Sequence, residues 1–423
     1  MSSRIAIIGS GYVGLTTGAC FAHLGHEVVC ADIDESKVER LSRGELPIYE
    51  PGLEKIVTDA LRSGRLRFVV GAAVAAAECE FAYLCVPTPQ GDDGSADLSY
   101  IEQAARQIAP VLPPNAVVVN KSTVPVGSTK VVERVLARPD VKVVSNPEFL
   151  REGSAVADFL KPDRIVIGSD DQSAAIRVAS LYSGIAAPLI VTDPASAETI
   201  KYAANAFLAT KISFVNAVAA ICENVGADIN DVVLGIGYDK RIGHDFLRPG
   251  PGWGGSCFPK DTRALVKIAE DASYDFNLLK GVIDVNDEQR ERMVEKVRSA
   301  AGGSLEGVVI AAWGLTFKAN TDDLRESPAL AIIAALVKEG ALVRAYDPQV
   351  ANDLPGVEVR SDALAACEAA EVLVVLTEWD DFRLIDLDEV RRRMSGAEIV
   401  DTRNLLDRAA ARRAGFVYRG VGR

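Results

Sequence analysis

Apolar residues along this chain fall into short runs separated by stretches of helical periodicity. Residues 4–8 form a β-rich run, a glycine turn follows, and a 3.6-residue pattern extends to about Leu24. Residues 26–32 read as a second buried strand, ending in Asp32. Further strand-like runs lie at 66–70, 81–86, 117–120, 141–144, 164–167 and 189–191, with helical patterns between most of them. Strand and helix in alternation predict a doubly wound α/β domain reaching about Asp193. From 195 to about 226 the pattern is helical and contains neither proline nor internal glycine. Apolar residues at Ile200, Ala203, Phe207, Leu208, Ile212, Val215, Val218, Ala219 and Cys222 give it a broad face suited to joining domains or to dimerising. Helical patterns at 228–236, 260–271 and 276–300 complete a mostly helical middle region. Gly302-Gly303-Ser304 then punctuates the chain, and a second α/β pattern opens with strands at 308–313, 342–346 and 371–376, a helix at 327–338, and a late run at 399–403.

The first strand and helix are joined by Gly9-Ser-Gly11-Tyr12-Val13-Gly14. Glycines there permit a tight turn and let a pyrophosphate approach the helix N-terminus, where the dipole favours anions. Asp32, at the end of the second strand, is placed to accept hydrogen bonds from a ribose diol and to repel a 2′-phosphate. That favours NAD over NADP. Lys37 falls near the same ribose. The second α/β pattern lacks this signature and carries Gly314-Leu-Thr-Phe317-Lys318-Ala-Asn-Thr321 in its place. The predicted architecture is two Rossmann-like doubly wound domains, 1–194 and 301–423, joined by a central helical domain, 195–300.

Polar and proline residues gather in the loops after the predicted strands, where such sheets bind ligands: Thr88, Thr123, and Glu148 with Glu152. On a helical turn those two glutamates would share a face, an arrangement more often solvated than catalytic. Lys201 and Asn205 share a face in the same way. They read either as a surface pair or as an ammonium and an amide aimed at a developing oxyanion. The Pro/Gly-rich stretch from Arg248 to Asp261 holds Gly254, Gly255 and Cys257, with Lys260 three residues on. A thiol beside a positive charge is a candidate nucleophile, and the alternative is a cysteine that merely packs.

Bulk properties narrow the classes. A length of 423 residues asks for more than one core. A net charge of −13 argues against a nucleic-acid partner but not against an anionic ligand met by local basic residues. Seven scattered cysteines offer neither a disulfide framework nor a paired metal spacing, so no metal is expected and a reducing cytoplasm fits best. No leader pattern opens the sequence, and no continuous apolar run suggests a membrane span.

The ordered motifs Gly9-x-Gly-x-x-Gly14, Asn146-Pro-Glu-Phe-Leu-Arg-Glu-Gly153, Lys201-Tyr-Ala-Ala-Asn205, Gly254-Gly-Ser-Cys-Phe-Pro-Lys-Asp261 and Phe317-Lys…Arg325-Glu-Ser resemble the UDP-glucose/GDP-mannose dehydrogenase family, from about residue 4 to near the end. Within it, the segments before Cys257 and around Thr377-Glu-Trp379 are most similar to the UDP-glucose-oxidising branch. The resemblance implies oxidation of a sugar C6 alcohol to a carboxylate with two NAD⁺. Asp261 with a water near Thr123 would be the first base, Lys201 and Asn205 would stabilise the oxyanion, Cys257 would be the covalent nucleophile, and Glu152 the hydrolytic base. It places Gly9, Gly11, Tyr12, Val13, Gly14, Asp32, Lys37, Thr88, Thr123, Glu152, Lys260 and Arg325 on NAD. Around the nucleotide sugar it sets Glu148, Phe149, Leu150, Lys201, Asn205, Phe246, Leu247, Arg248, Gly254, Cys257, Phe317, Lys318 and Arg403. Arg241 would reach the diphosphate from a partner subunit, which implies a homodimer. Rival readings are a GDP-mannose or UDP-N-acetylhexosamine enzyme, a two-electron β-hydroxyacid dehydrogenase, and an inactive dinucleotide sensor.

Overall fold

The computed structural model describes residues 2–91 and 96–423. They fold into two compact units: residues up to Ala204 with Arg263–Ser273, and Asn205–Thr262 with Tyr274–Arg423.

The first unit is built on β1 (Arg4–Ile8), β2 (Glu27–Asp32), β3 (Leu66–Val70), β4 (Phe81–Leu84), β5 (Val117–Asn120), β6 (Lys142–Ser145), β7 (Ile165–Gly168) and β8 (Leu189–Thr192). Their order is β3-β2-β1-β4-β5-β6-β7-β8. Neighbours run parallel except β6 and β7, which meet antiparallel at Ser145 and Gly168. In β1, Ile5 and Ile7 join one core while Ala6 and Ile8 join another, the alternation of a strand covered on both faces. Ile5 pairs with Val28 on one side and with Phe81 on the other, so the order reverses at β1. That reversal opens a crevice at the strand C-termini, where doubly wound sheets bind their ligands.

The second unit holds β9 (Val309–Trp313), β10 (Leu342–Tyr346), β11 (Val357–Val359), β12 (Val372–Val375), β13 (Glu398–Asp401) and β14 (Val417–Arg419), ordered β11-β10-β9-β12-β13-β14 and parallel throughout. The two edge strands escaped the sequence reading because three residues are too few to show alternation. The residues after β14 are held in place. Val421 is buried in the core, the Gly422 amide donates to Glu223 (2.7 Å), and its carbonyl accepts from the Ile229 amide (2.9 Å).

Between the two sheets in sequence lies a 32-residue helix, Pro194–Val225. Proline suits its first turn, where no intrahelical donor is lost. Contrary to the expectation of no membrane-length segment, this helix has an 18-residue window of mean hydropathy 1.4. Its buried Glu198, Lys201, Asn205, Ser213 and Asn216 show instead that one face of it packs against protein through polar contacts.

Candidate active site

Gly9 follows β1 with φ +98°, and a Cβ there would lie 2.6 Å from the Cys85 carbonyl oxygen. A Cβ on Gly14 would fall 1.9 Å from the Gly9 carbonyl oxygen, so only glycine lets the helix pack against the turn. Gly11, by contrast, faces open space. The helix Tyr12–His23 starts there without a capping side chain, presenting its positive dipole end. At the tip of β2, one Asp32 oxygen accepts from the Ser10 amide (3.1 Å), Ser10 Oγ (2.6 Å) and Lys37 Nζ (2.9 Å). The other accepts from the amides of Ile33 (2.8 Å) and Asp34 (3.2 Å). Burial opposes ionisation of Asp32, but the donors from Lys37, Ser10 and Asp34 outweigh it and hold the carboxyl at about 2. An open glycine, an uncapped helix and a fixed anion fit a dinucleotide with an unphosphorylated ribose.

The loop after β6 departs from the sequence reading. Residues 146–151 are not helical, so Glu148 and Glu152 do not share a helical face, and both are buried. Glu148 and Lys201, 5% and 3% exposed, form an ion pair at 2.8 Å. Lys201 Nζ also donates to the Glu148 carbonyl (2.7 Å), and the Leu150 amide donates to the second carboxylate oxygen (2.6 Å). Burial pushes the Glu148 carboxyl up, and the Lys201 ammonium outweighs it, holding the group below its ordinary value. The Lys201 ammonium also lies 5.5 Å from the centre of the Phe149 ring, whose face is stacked by Arg164 at 3.6 Å. Lys201 is thus no surface lysine. Its helix is tied to the Thr123 loop by the buried Glu198, which accepts from the Gly127 amide (2.6 Å), the Thr129 amide (3.0 Å) and Thr129 Oγ1 (2.8 Å). Thr123 itself is half-buried, and Thr88 is buried in the loop after β4.

In the second unit the Pro/Gly stretch runs without regular structure into the helix Phe258–Asp271. Cys257 immediately precedes that helix, at the end whose dipole favours negative charge. It is half-buried, while the six other cysteines are buried. Buried polar side chains from two helices shape the loop. Asn286 accepts from the Trp253 amide (2.7 Å) and donates to its carbonyl (3.1 Å). Asn216 accepts from the Gly250 amide (2.9 Å), Gln289 donates to the Gly250 carbonyl (2.7 Å), and Ser213 accepts from the Trp253 indole (2.9 Å). Sequence reasoning missed these four. The available signal was polar residues three apart on otherwise apolar helix faces, Ser213 with Asn216 and Asn286 with Gln289.

Glycine is needed in this loop too. A Cβ on Gly254 would lie 2.0 Å from the Glu326 carbonyl oxygen, and Gly255, with φ +80°, meets the Phe317 ring. Arg403 donates to the Phe317 carbonyl (3.0 Å) and the Leu376 carbonyl (2.8 Å), so Gly254, Phe317 and Arg403 form one neighbourhood. Asp261, fully buried, accepts from Asn205 Nδ2 (2.6 Å) and pairs with Lys260 Nζ (2.6 Å). Lys260, expected beside the thiol, thus has its ammonium on Asp261. Leu247 is buried, Phe246 is half-buried with φ +61°, and Arg248 is exposed. Arg241 and Arg325 are also exposed, each paired with the aspartate two residues before it, at 2.6 and 2.7 Å. Lys318 stands over its neighbour Phe317, 5.4 Å from the ring centre. Among the described residues no cluster of His, Cys, Asp or Glu is disposed to hold a metal ion.

Fold and site define a class: an NAD-dependent dehydrogenase with a partly exposed thiol near a glycine cradle. The chain belongs to the UDP-glucose/GDP-mannose dehydrogenase family, matching its NAD binding domain over residues 3–186, its central domain over 195–288 and its UDP binding domain over 311–408. It is 47% identical to a UDP-glucose 6-dehydrogenase of Rhizobium meliloti, covering 99% of each chain. It is 46% identical to one of Bacillus subtilis, covering 99% of this chain and 93% of the other. A solved UDP-glucose dehydrogenase from the archaeon Pyrobaculum islandicum superposes with a TM-score of 0.91 at 40% identity, covering 100% of this chain and 98% of that one.

Proposed function

We propose that this chain oxidises the C6 alcohol of UDP-glucose to the carboxylate of UDP-glucuronate, reducing two NAD⁺ per sugar through a covalent Cys257 adduct. The observation that carries the reading is the placement of Cys257. It is the half-buried thiol at a helix N-terminus, in a glycine loop, within a chain similar end to end to UDP-glucose 6-dehydrogenases. NAD⁺, when bound, supplies the hydride acceptor for both oxidations. Gly9, Gly11, Tyr12, Val13, Gly14, Asp32 and Lys37 would hold its adenosine and pyrophosphate end, with Thr88, Thr123, Glu152, Lys260 and Arg325 along the rest.

In the first oxidation Asp261, through a water near Thr123, takes the C6 hydroxyl proton, while Lys201 and Asn205 stabilise the alkoxide. The Glu148–Lys201 and Asn205–Asp261 bonds support this by fixing both donors before substrate arrives. Cys257 Sγ then adds to the aldehyde carbon, and the carbonyl oxygen gains a proton, giving a thiohemiacetal. The second oxidation leaves a thioester. Water attacks its carbonyl with Glu152 as base, the C–S bond breaks, and the thiolate and the acid separate. The substrate's nucleotide would meet Phe149, Leu150, Phe246, Leu247, Arg248, Gly254, Phe317, Lys318 and Arg403.

The same reading divides the chain into segments 1–194, 195–300 and 301–423 for NAD, dimerisation and nucleotide sugar, and makes it a homodimer. On the long helix Phe207, Phe214 and Ile221 recur every seven residues and are 66%, 56% and 58% exposed, a stripe suited to a second copy. The exposed Arg241 would reach the diphosphate of that copy. Seven free thiols suit a reducing cytoplasm. The test is NADH formation against a panel of UDP- and GDP-sugars. UDP-glucose should react best, and a preference for GDP-mannose or a UDP-N-acetylhexosamine would overturn the substrate assignment.

A further inference from the structure

We propose that Glu50 is a positioning residue that locks the Glu152 loop onto the dinucleotide loop. It lies between the helices Glu35–Ser42 and Leu53–Arg62, and its carboxylate is buried. One oxygen accepts from the Tyr12 hydroxyl and from the Gly153 amide (2.7 Å), and the other accepts from the Ala155 amide (2.8 Å). The Gly153 amide also lies 3.0 Å from the Tyr12 hydroxyl oxygen. Tyr12 opens the helix after the glycine turn, and Gly153 directly follows Glu152. One side chain therefore joins two segments 141 residues apart.

A purely structural cap for the short Ala155–Leu160 helix would not need this arrangement. Ser154, at its N-cap, offers no cap from its side chain and donates instead to Asp158 (3.0 Å). A serine cap would satisfy the first turn locally, without desolvating a charge. What the distant carboxylate adds is the link to Tyr12. Burial pushes the Glu50 carboxyl up despite its donors, so the link is held at a cost in ionisation. The charges of Glu50 and then Glu152 are among the forces that, after burial, push the Tyr12 phenol up, which places Glu152 within electrostatic reach of Tyr12.

The inference rests on the reading of Glu152 as hydrolytic base. A misplaced base slows thioester hydrolysis more than the oxidations that precede it, and small displacements of a catalytic group cost up to about a hundredfold. Glu50→Gln, Tyr12→Phe and Glu152→Gln enzymes would be mixed with UDP-glucose and NAD⁺, quenched in acid and weighed intact, with kcat, KM for NAD⁺ and Tm measured on the same preparations. For Glu50→Gln the expectation is an acyl-enzyme that accumulates on Cys257, kcat lower by about tenfold to a hundredfold, and KM for NAD⁺ raised several-fold. Tyr12→Phe, which deletes a single hydroxyl, should accumulate the same adduct to a smaller extent, and it carries the test if Glu50→Gln fails to fold. A lower Tm with wild-type kcat and no adduct would overturn the proposal in favour of a structural cap. If Glu152→Gln accumulates the adduct and Glu50→Gln does not, the Glu50 claim alone falls. If Glu152→Gln turns over without an adduct, the hydrolytic assignment fails and takes the Glu50 claim with it.

Discussion

At the scale of single residues the cysteines separate by environment. Burial pushes the thiols of Cys20, Cys85 and Cys367 up to about 12 and that of Cys79 to about 11, whereas Cys257 is half-buried at a helix N-terminus. Iodoacetamide should therefore alkylate Cys257 first in the folded protein. Peptide mapping that finds another cysteine labelled as fast would contradict this. Asp32 makes a second prediction. Its folded carboxyl sits at about 2 against an ordinary 3.8, so it contributes stability above pH 3.8 that is lost as the pH falls towards 2. The Tm difference between wild type and Asp32→Asn should be full at neutral pH and close over that interval. A constant gap would mean that the charge is not what stabilises. Preference for NAD over NADP should likewise stay flat across neutral pH, because Asp32 remains ionised there. Asp32 and Cys257 were legible as residue types in a motif. The Glu148–Lys201 pair was not, because spacing favoured a solvated Glu148 and left Lys201 open between a surface lysine and an oxyanion donor. Tertiary burial decided against the solvated and surface readings.

At the scale of elements, the short continuous apolar runs announced the central strands, since strands covered on both faces show their burial in the sequence. β11 and β14 are edge strands of three residues with exposed positions, and no periodicity can show in so short a span. The Cys257 loop was legible as a glycine loop, but not what shapes it, because its hydrogen bonds come from helices on either side of it in the chain. Replacing Asn286 with Leu would strip the buried Trp253 amide of its partner, at about 1–3 kcal/mol for the unsatisfied group, and leave the Trp253 carbonyl with Arg290 (3.3 Å) alone. Chemical denaturation should show that loss, together with a lower kcat. Unchanged stability would mean that the loop holds its own shape. Gly254→Ala presses a methyl onto the Glu326 carbonyl, which cannot rotate away, and should destabilise by about 1–3 kcal/mol.

At the scale of the whole molecule, two largely parallel sheets and one long helix were readable because short apolar runs alternate with helical patterns on either side of a 195–225 stretch that holds neither proline nor glycine. The last residues were not, since a basic tail gives no sign that Val421 enters the core. The exposed stripe Phe207, Phe214 and Ile221 is the basis for the proposed dimer. Phe214→Glu should shift sedimentation towards the monomer, and an unchanged dimer would place the interface elsewhere. The proposed chemistry is tested at this scale, because a reaction of two oxidations without a released aldehyde would turn on the thiol. The most direct measurement is product formation by Cys257→Ala with UDP-glucose and saturating NAD⁺. No UDP-glucuronate should form, with NAD and sugar-nucleotide binding largely retained. Full turnover, at two NADH per sugar, would contradict it.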